Sequence, residues 1–407
     1  MNIFLINHYA GSPEMGMEFR PYYLAQEWIR MGHKVSILAA SHSHIRLHNP
    51  AFDANIREEN IDGINYIWIN TPAYEGNGIG RIKNMFAFIN KSWIKAGYFA
   101  KTYQPDVVIA SSTYPSDNYV AKKIAKLSGA KYIYEVHDLW PLSPMELGDM
   151  SKYHPFIIAM QHAENLAYRK ADAVISMLPN TQEHMKAHGL KLKKWHYVPN
   201  GILIDEWKQA KELNPETKDI IEGIKTKFST TIAYAGTLGL ANALSSFILA
   251  AKDLPHVAFF MIGKGPEKEN LEKQIDDLSL KNVFLLKSVG KQEIPSLLQM
   301  FDILYIGLQR QSLFRFGISP NKLIDYMMAG KPIIQAIEAG NNVVKEVGCG
   351  IDIEPENPQS LIKAVEQLMN TPQEDLDKMG QNGQDFVMKN HDYNILAKTF
   401  INTIENI

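Results

Sequence analysis

What most constrains this chain is one pattern, short apolar runs alternating with helix-spaced segments, that runs through the sequence twice. Ile3 to Ile6 is an apolar run, followed by a loop from Asn7 to Met17 that contains Gly11, Pro13 and Gly16. Phe19 to Met31 has helical spacing, with Tyr22, Tyr23, Ala25, Trp28 and Ile29 available for one side. Gly32-His33 ends it and Lys34 to Leu38 is the next strand. Further strands are expected at Ile64–Ile69, Val107–Ala110, Tyr132–Val136 and Ala173–Met177. After Val198-Pro199-Asn200-Gly201 comes an acidic, lysine-rich helical piece from Asp205 to Lys227, and then the alternation restarts. Its strands are Thr231–Gly236, Ala258–Ile262, Val283–Leu286, Ile303–Gly307 and Pro332–Ala336. Such alternation predicts parallel sheets covered by helices on both faces, hence an α/β chain of two Rossmann-like domains, 1–200 and 201–383. Gln384 to Ile407 is expected to be a final amphipathic helix. The early glycines do not follow the dinucleotide spacing, so NAD or FAD is not indicated.

At 407 residues, both halves are long enough to bury a core. A formal net charge of −2 gives no general reason to expect nucleic acid. The single cysteine, Cys349, excludes an internal disulfide framework and fits a reducing cytoplasm. The N-terminal apolar run is too short for a signal peptide. No run approaches the roughly 18 apolar residues that span a bilayer, so any membrane role is expected to be peripheral. His42 and His44 lack a supporting ligand cluster, and Asp375-Leu376-Asp377 lies in a polar segment that reads as a solvated helix face. No metal ligand is therefore assigned.

The most informative stretch is Phe316 to Pro332. Ser319 is expected to cap a helix that begins at Pro320 and ends before a left-handed Gly330. The free N–H groups near Asn321 and Lys322 would then sit at the positive end of the helix dipole, with the Lys322 charge beside them. Asp325 follows Lys322 by three residues and shares its face. A lysine and a helix end suit a diphosphate, and a carboxylate suits ribose hydroxyls. A capped surface helix with an ordinary charge pair would carry the same residues.

These features together resemble the retaining GT-B glycosyltransferases of family four. The resemblance rests on the Gly330-containing helix, Gly236-Thr237-Leu238-Gly239, Gly263-Lys264-Gly265-Pro266-Glu267, Val198-Pro199-Asn200-Gly201-Ile202 and His137-Asp138. It runs essentially end to end, and Ser319-Pro320-Asn321-Lys322 is similar to bacterial O-antigen and capsule enzymes, including N-acetylfucosamine transferases. It implies two Rossmann-like domains facing a central cleft, with the terminal helix crossing back to the first. The second half would hold a nucleotide-sugar donor, a UDP-sugar by default, and the first half a lipid-linked glycan acceptor. No cofactor or metal is implied.

The resemblance also assigns residues. His137 would orient the donor sugar, and Gly16 would let backbone approach the diphosphate or the acceptor. Gly236, Thr237 and Lys264 would contact the donor, and Ser288 and Val289 would grip the nucleobase through main chain. The family's usual arginine and lysine after the first strand of the second half are missing, so the charge is expected from Lys322, Arg315 and Lys264, in that order. Of two family glutamates seven residues apart, Asp325 matches the second, and the first falls on Gly317. The missing acid leaves room for a deoxy or acetamido sugar. Glu18 and Arg20 lie near the same mouth and are equally well explained as a solvated helix face.

Ile79 to Tyr103 carries Arg81, Lys83, Lys91, Lys95 and Lys101 with no acid, interleaved with Met85, Phe86, Phe88, Trp93 and Tyr98. Basic residues among aromatics suit an interfacial helix on the anionic inner face of a cytoplasmic membrane, or an acceptor contact. An amphipathic helix packed in the first domain is the plainer alternative. A GT-B UDP-sugar epimerase and a non-catalytic GT-B partner subunit are the competing functional readings.

Overall fold

The computed structural model describes residues 1–16, 19–76 and 78–407. It divides into two compact units, Met1–Asn200 with Tyr393–Ile407, and Gly201–Asp392. In the first unit the strands are β1 (Asn2–Ile6), β2 (Lys34–Ala40), β3 (Ile56–Ile61), β4 (Ile64–Ile69), β5 (Val107–Ala110), β6 (Lys131–Val136), β7 (Ala173–Ser176) and β8 (Trp195–Tyr197). Their order is β3-β4-β2-β1-β5-β6-β7-β8, parallel throughout except for the antiparallel β3–β4 pair. The second unit holds β9 (Thr230–Ala235), β10 (Val257–Ile262), β11 (Val283–Leu286), β12 (Ile303–Gly307), β13 (Ile333–Ala336) and β14 (Gly350–Asp352). That sheet is wholly parallel, ordered β11-β10-β9-β12-β13-β14. In each sheet the order reverses beside the first strand, and open α/β sheets bind ligands outside the carboxyl ends of strands at such a point.

The central strands are buried on both faces, as β5, β10 and β12 show by being buried at every position. That explains why they read as unbroken apolar runs. The edge strands behave differently. β3 is Ile-Arg-Glu-Glu-Asn-Ile and half exposed, which suits an edge strand and hides it in a hydropathy reading.

Two expected helices are divided. The 205–227 piece forms Ile204–Lys208 and Pro215–Lys225, with Pro215 starting the second and Asn214 capping it through the Glu216 N–H. The single helix expected over Gln384–Ile407 is also two: Gln373–Asn390 stays with the second unit and Tyr393–Glu405 with the first. The break is held by the Ile202 N–H donating to the His391 carbonyl at 2.8 Å. The final helix then packs on Phe19–Arg30, where Trp28 lies edge-on to Phe400 and donates to the Ala397 carbonyl.

Asn321–Met328 is fixed from below by the Gln373–Asn390 helix. Gly330 is left-handed at φ 68°, as expected after a helix, and Gln384 Nε2 donates to the Met328 carbonyl at 3.0 Å. A Cβ at Gly380 would stand 2.1 Å from the Gly330 carbonyl oxygen, a backbone atom that cannot swing away. Gly380→Ala is expected to destabilise the second unit by about 1–3 kcal/mol, read as a lower thermal midpoint. An unchanged midpoint would show that these helices can part freely.

Candidate active site

The helix that carries Lys322 starts one residue later than its sequence suggests. Pro320 is the N-cap residue, extended at φ −75° and ψ 126°, so neither Ser319 as cap nor Pro320 as first helical residue holds. The extended ψ at Pro320 moves the register and leaves the first turn without a side-chain cap. The Leu323 N–H is taken by the Pro320 carbonyl at 3.0 Å, which leaves the Asn321 and Lys322 amides to an external acceptor.

Lys322 reaches from that turn to the end of β9. Its Nζ donates to Tyr234 Oη at 2.7 Å and to Asn242 Oδ1 at 3.1 Å, and stands 4.1 Å from the Tyr234 ring centroid. Tyr234 in turn donates to the Thr237 carbonyl at 2.6 Å, and Asn242 Nδ2 donates to the same oxygen at 3.1 Å. The loop from Gly236 to Asn242, which has no basic residue of its own, thus receives a charge from elsewhere in the chain. No ion pair to Lys322 is found among the described residues, and burial alone pushes its amine down to about 7.

Asp325 lines the same cavity of about 340 Å³, together with Ala235, Gly236, Thr237, Asn242 and Lys322. Burial raises its carboxyl to about 6, opposed by the Trp207 indole N–H, 3.3 Å from Oδ1, and by the Lys291 charge. Tyr326 ties the helix to the strand end, accepting from the Ala235 N–H at 2.7 Å and donating to its carbonyl. The turns are glycine because backbone passes backbone: a Cβ on Gly263 would meet the Gly236 carbonyl at 1.8 Å, and one on Gly265 the Leu238 carbonyl at 2.2 Å. The cavity thus offers an amine held in place, two uncapped amides and a carboxylate, a set that fits a diphosphate and a diol.

Arg315, Lys264, Ser288 and Val289, expected at the donor, do not line this cavity. Arg315 is exposed, donates to the Ser312 carbonyl at 2.6 Å and stacks on Phe316 at 4.3 Å. The Lys264 side chain is exposed, while its carbonyl accepts from Leu238. Ser288 is exposed and Val289 packs against the core beside it. Gly317, where the family's first acid is absent, has φ 92°. An acid there would meet backbone strain besides its charge.

In the first unit, His137 follows β6 as expected, and its setting is a buried network that sequence reasoning missed. Glu135 is 1% exposed and faces Arg20, which is 5% exposed, at 2.9 Å. Arg20 also donates to the Val198 carbonyl at 2.9 Å and to that of Pro199, so it is an internal clamp and not a solvated helix residue. Glu18 lies outside the described residues. Ser111 Oγ donates to Glu135 Oε2 at 2.5 Å, and His137 Nε2 lies 3.3 Å from that oxygen and 2.9 Å from Ser111 Oγ. Burial would raise the Glu135 carboxyl, but Arg20, His137 and Ser111 outweigh it and hold it at about 2. Gly16 has φ 88° and ends a short turn with its N–H on the Pro13 carbonyl. β6 is buried at every position after Lys131, so no alternation marked Glu135 as buried, and nothing marked it as paired.

Arg81 and Lys91 turn inward from the 79–103 helix, Arg81 onto Tyr9 Oη at 3.0 Å and Lys91 onto the Asn70 carbonyl. Lys83, Lys95 and Trp93 are exposed, with Lys123 4.3 Å above the Trp93 ring. A separate group, Glu164, His184 and His188, has the donor atoms for a metal ion.

Two Rossmann-like units with loops at their strand ends are the elements of the GT-B architecture, and solved structures share the fold. Sucrose-phosphate synthase from Thermosynechococcus elongatus aligns at TM-score 0.73 and 14% identity, covering 99% of this chain and 98% of that one. HepE of Anabaena, solved with UDP and glucose, gives 0.69 and 16% over the whole of both. An Escherichia coli trehalose-6-phosphate protein bound with UDP-2-fluoro glucose gives 0.72 and 11%, covering 100% and 99%. In sequence, the colanic acid biosynthesis glycosyl transferase WcaI of Escherichia coli (strain K12) is 21% identical over 295 residues, 69% of each chain. Residues 15–201 match the family described as Glycosyl transferase 4-like domain, and residues 216–386 match Glycosyl transferases group 1. The chain belongs to this group of glycosyltransferases.

Proposed function

We propose that the chain transfers a deoxy or acetamido sugar from a UDP-sugar, with retention of configuration, to a lipid-linked glycan in bacterial surface polysaccharide synthesis. The observation that carries this reading is the Lys322 amine, held over the Gly236 turn by Tyr234 and Asn242 in one cavity with Asp325. As the sugar–phosphate bond breaks, negative charge develops on the leaving diphosphate, and a prepositioned amine with first-turn amides stabilises it. Asp325 takes the ribose, and His137 contacts the sugar. The leaving phosphate itself takes the acceptor proton in a front-face substitution. No metal is required at the donor, since Lys322 supplies the charge. UDP is supported by the ligands named for HepE and the trehalose-6-phosphate protein, and polysaccharide synthesis by the colanic acid biosynthesis named for WcaI. Calorimetry across UDP- and GDP-sugars, followed by product analysis with a lipid-linked acceptor, tests it. A UDP-sugar that binds and yields product of the donor's own anomeric configuration supports the reading. Failure of every UDP-sugar to bind would overturn it.

Donor binding should also move a proton. A diphosphate beside Lys322 raises its amine from about 7 toward the ordinary 10.5, so between those values binding takes up a proton. Near pH 8, wild-type binding enthalpy is expected to vary with buffer ionisation enthalpy with a slope of about one proton. In Lys322→Met the slope should vanish; an equal slope in both would remove Lys322 from the diphosphate.

The 79–103 helix supports a peripheral membrane location. Among the described residues no helix is long and apolar enough to cross a membrane. Met85, Phe88 and Phe99 are buried in the unit, yet Ile79, Phe86 and Ile94 are 73%, 72% and 66% exposed beside exposed Lys83 and Lys95. Apolar side chains of this size contribute about 1.5–3 kcal/mol each when buried. Phe86→Asp with Ile94→Asp is therefore expected to weaken sedimentation with phosphatidylglycerol vesicles more than about tenfold. Unchanged sedimentation would exclude this face from the membrane.

A further inference from the structure

Glu164 lies on the Pro155–Lys170 helix, while His184 lies on Gln182–Ala187 and His188 is that helix's C-cap residue. One donor atom from each of the three lies within 4.8 Å of the others. His184 Nε2 is 3.4 Å from Glu164 Oε1, and the two imidazole centroids are 4.4 Å apart. None of these residues belongs to the Lys322 or His137 groups.

We propose that these three side chains form a binding site for one divalent cation of the zinc type, with two nitrogens and one carboxylate oxygen as ligands. The arrangement around the ligands supports this. His188 Nδ1 lies 2.8 Å from the His184 carbonyl, so the proton sits on Nδ1 and the Nε2 lone pair is left for a metal. The carboxylate is oriented independently: Tyr168 Oη donates to Oε1 at 2.9 Å, and Gln161 Nε2 donates to Oε2 at 2.6 Å. Glu164 is 1% exposed. A buried carboxylate beside two histidines whose rings are tilted by 38°, with Glu164 and His188 each braced by a further hydrogen bond, is the support that ligated metals use. Two ligands on one tetrahedral zinc ion stand about 3.4 Å apart, so donor atoms now within 4.8 Å of one another would close by up to about 1.4 Å on loading. Imidazole with carboxylate favours zinc, cobalt or nickel over magnesium or calcium. The ion would tie the two helices together, with water or an exogenous donor completing its shell.

The test uses untagged full-length protein, stripped with chelator, dialysed and titrated calorimetrically with zinc chloride. Binding of one equivalent is expected, weakened at least tenfold in His188→Ala and in Glu164→Gln, and unaltered in His44→Ala. Cobalt substitution should give visible d–d absorption that His188→Ala abolishes. Circular dichroism of each variant separates loss of the site from loss of the fold. Absence of stoichiometric binding, or binding insensitive to His188→Ala and His184→Ala in folded variants, would overturn the proposal.

Discussion

Replacing Lys322 by alanine is expected to lower kcat/KM for the donor by about two to three orders of magnitude, the range lost when one preorganised donor to a developing anion is removed. The fold should not suffer. The wild-type amine is half-buried with a phenol and an amide as its partners, and its desolvation disfavours the charge in the folded chain. Its removal should therefore leave the thermal midpoint unlowered, separating function from stability. Gly236→Ala gives a sharper version. The new Cβ would stand 2.6 Å from Lys322 Cε and 2.9 Å from Nζ, and those atoms are the far end of a flexible side chain. Gly236 has φ 154°, where a side chain is strained, so the variant is expected to lose some stability as well as displace its amine; a misplacement on the order of 1 Å can cost about a hundredfold in rate. Wild-type turnover in both variants, measured by release of nucleoside diphosphate, would exclude this amine from the reaction.

Glu135 is expected to matter next most. Glu135→Ala leaves Arg20 buried without its counter-charge, which typically costs about 3–5 kcal/mol and should lower the thermal midpoint of the first unit markedly. Glu135→Gln keeps the shape and loosens the hold on His137. Its expected signature is a fall in kcat of about tenfold with little change in UDP affinity, since the diphosphate residues lie in the other unit. Its pH dependence distinguishes charge from packing. The carboxyl is held at about 2, below its ordinary 4.5, so the stability it contributes is fully present above 4.5. That contribution, on the order of 3 kcal/mol, is lost as pH falls toward 2. Wild type should lose thermal stability through that window, and Glu135→Gln should lose less. Identical acid profiles would mean that the pair adds nothing.

The strands buried on both faces were legible because burial itself writes their pattern: β5 and β12 start and end where their apolar runs do. β8 and β14 are three residues long and β3 is charged, so no periodicity betrays them. The Lys322 helix was legible through its punctuation, although its start moved by one residue with the extended Pro320. Its partners were not, because Tyr234 and Asn242 lie 88 and 80 residues earlier and meet it only through the sheet order. Arg20 and Glu135, 115 residues apart, show the same limit. Each alone looks like an ordinary charged residue, and only the fold reveals that both are buried.

The most direct measurement is a crystal structure of the protein with bound UDP. The β-phosphate is expected on Lys322 Nζ and the amides at the start of the Asn321–Met328 helix, with the ribose hydroxyls on Asp325. A diphosphate bound elsewhere, with Lys322 still held by Tyr234 and Asn242, would contradict the site.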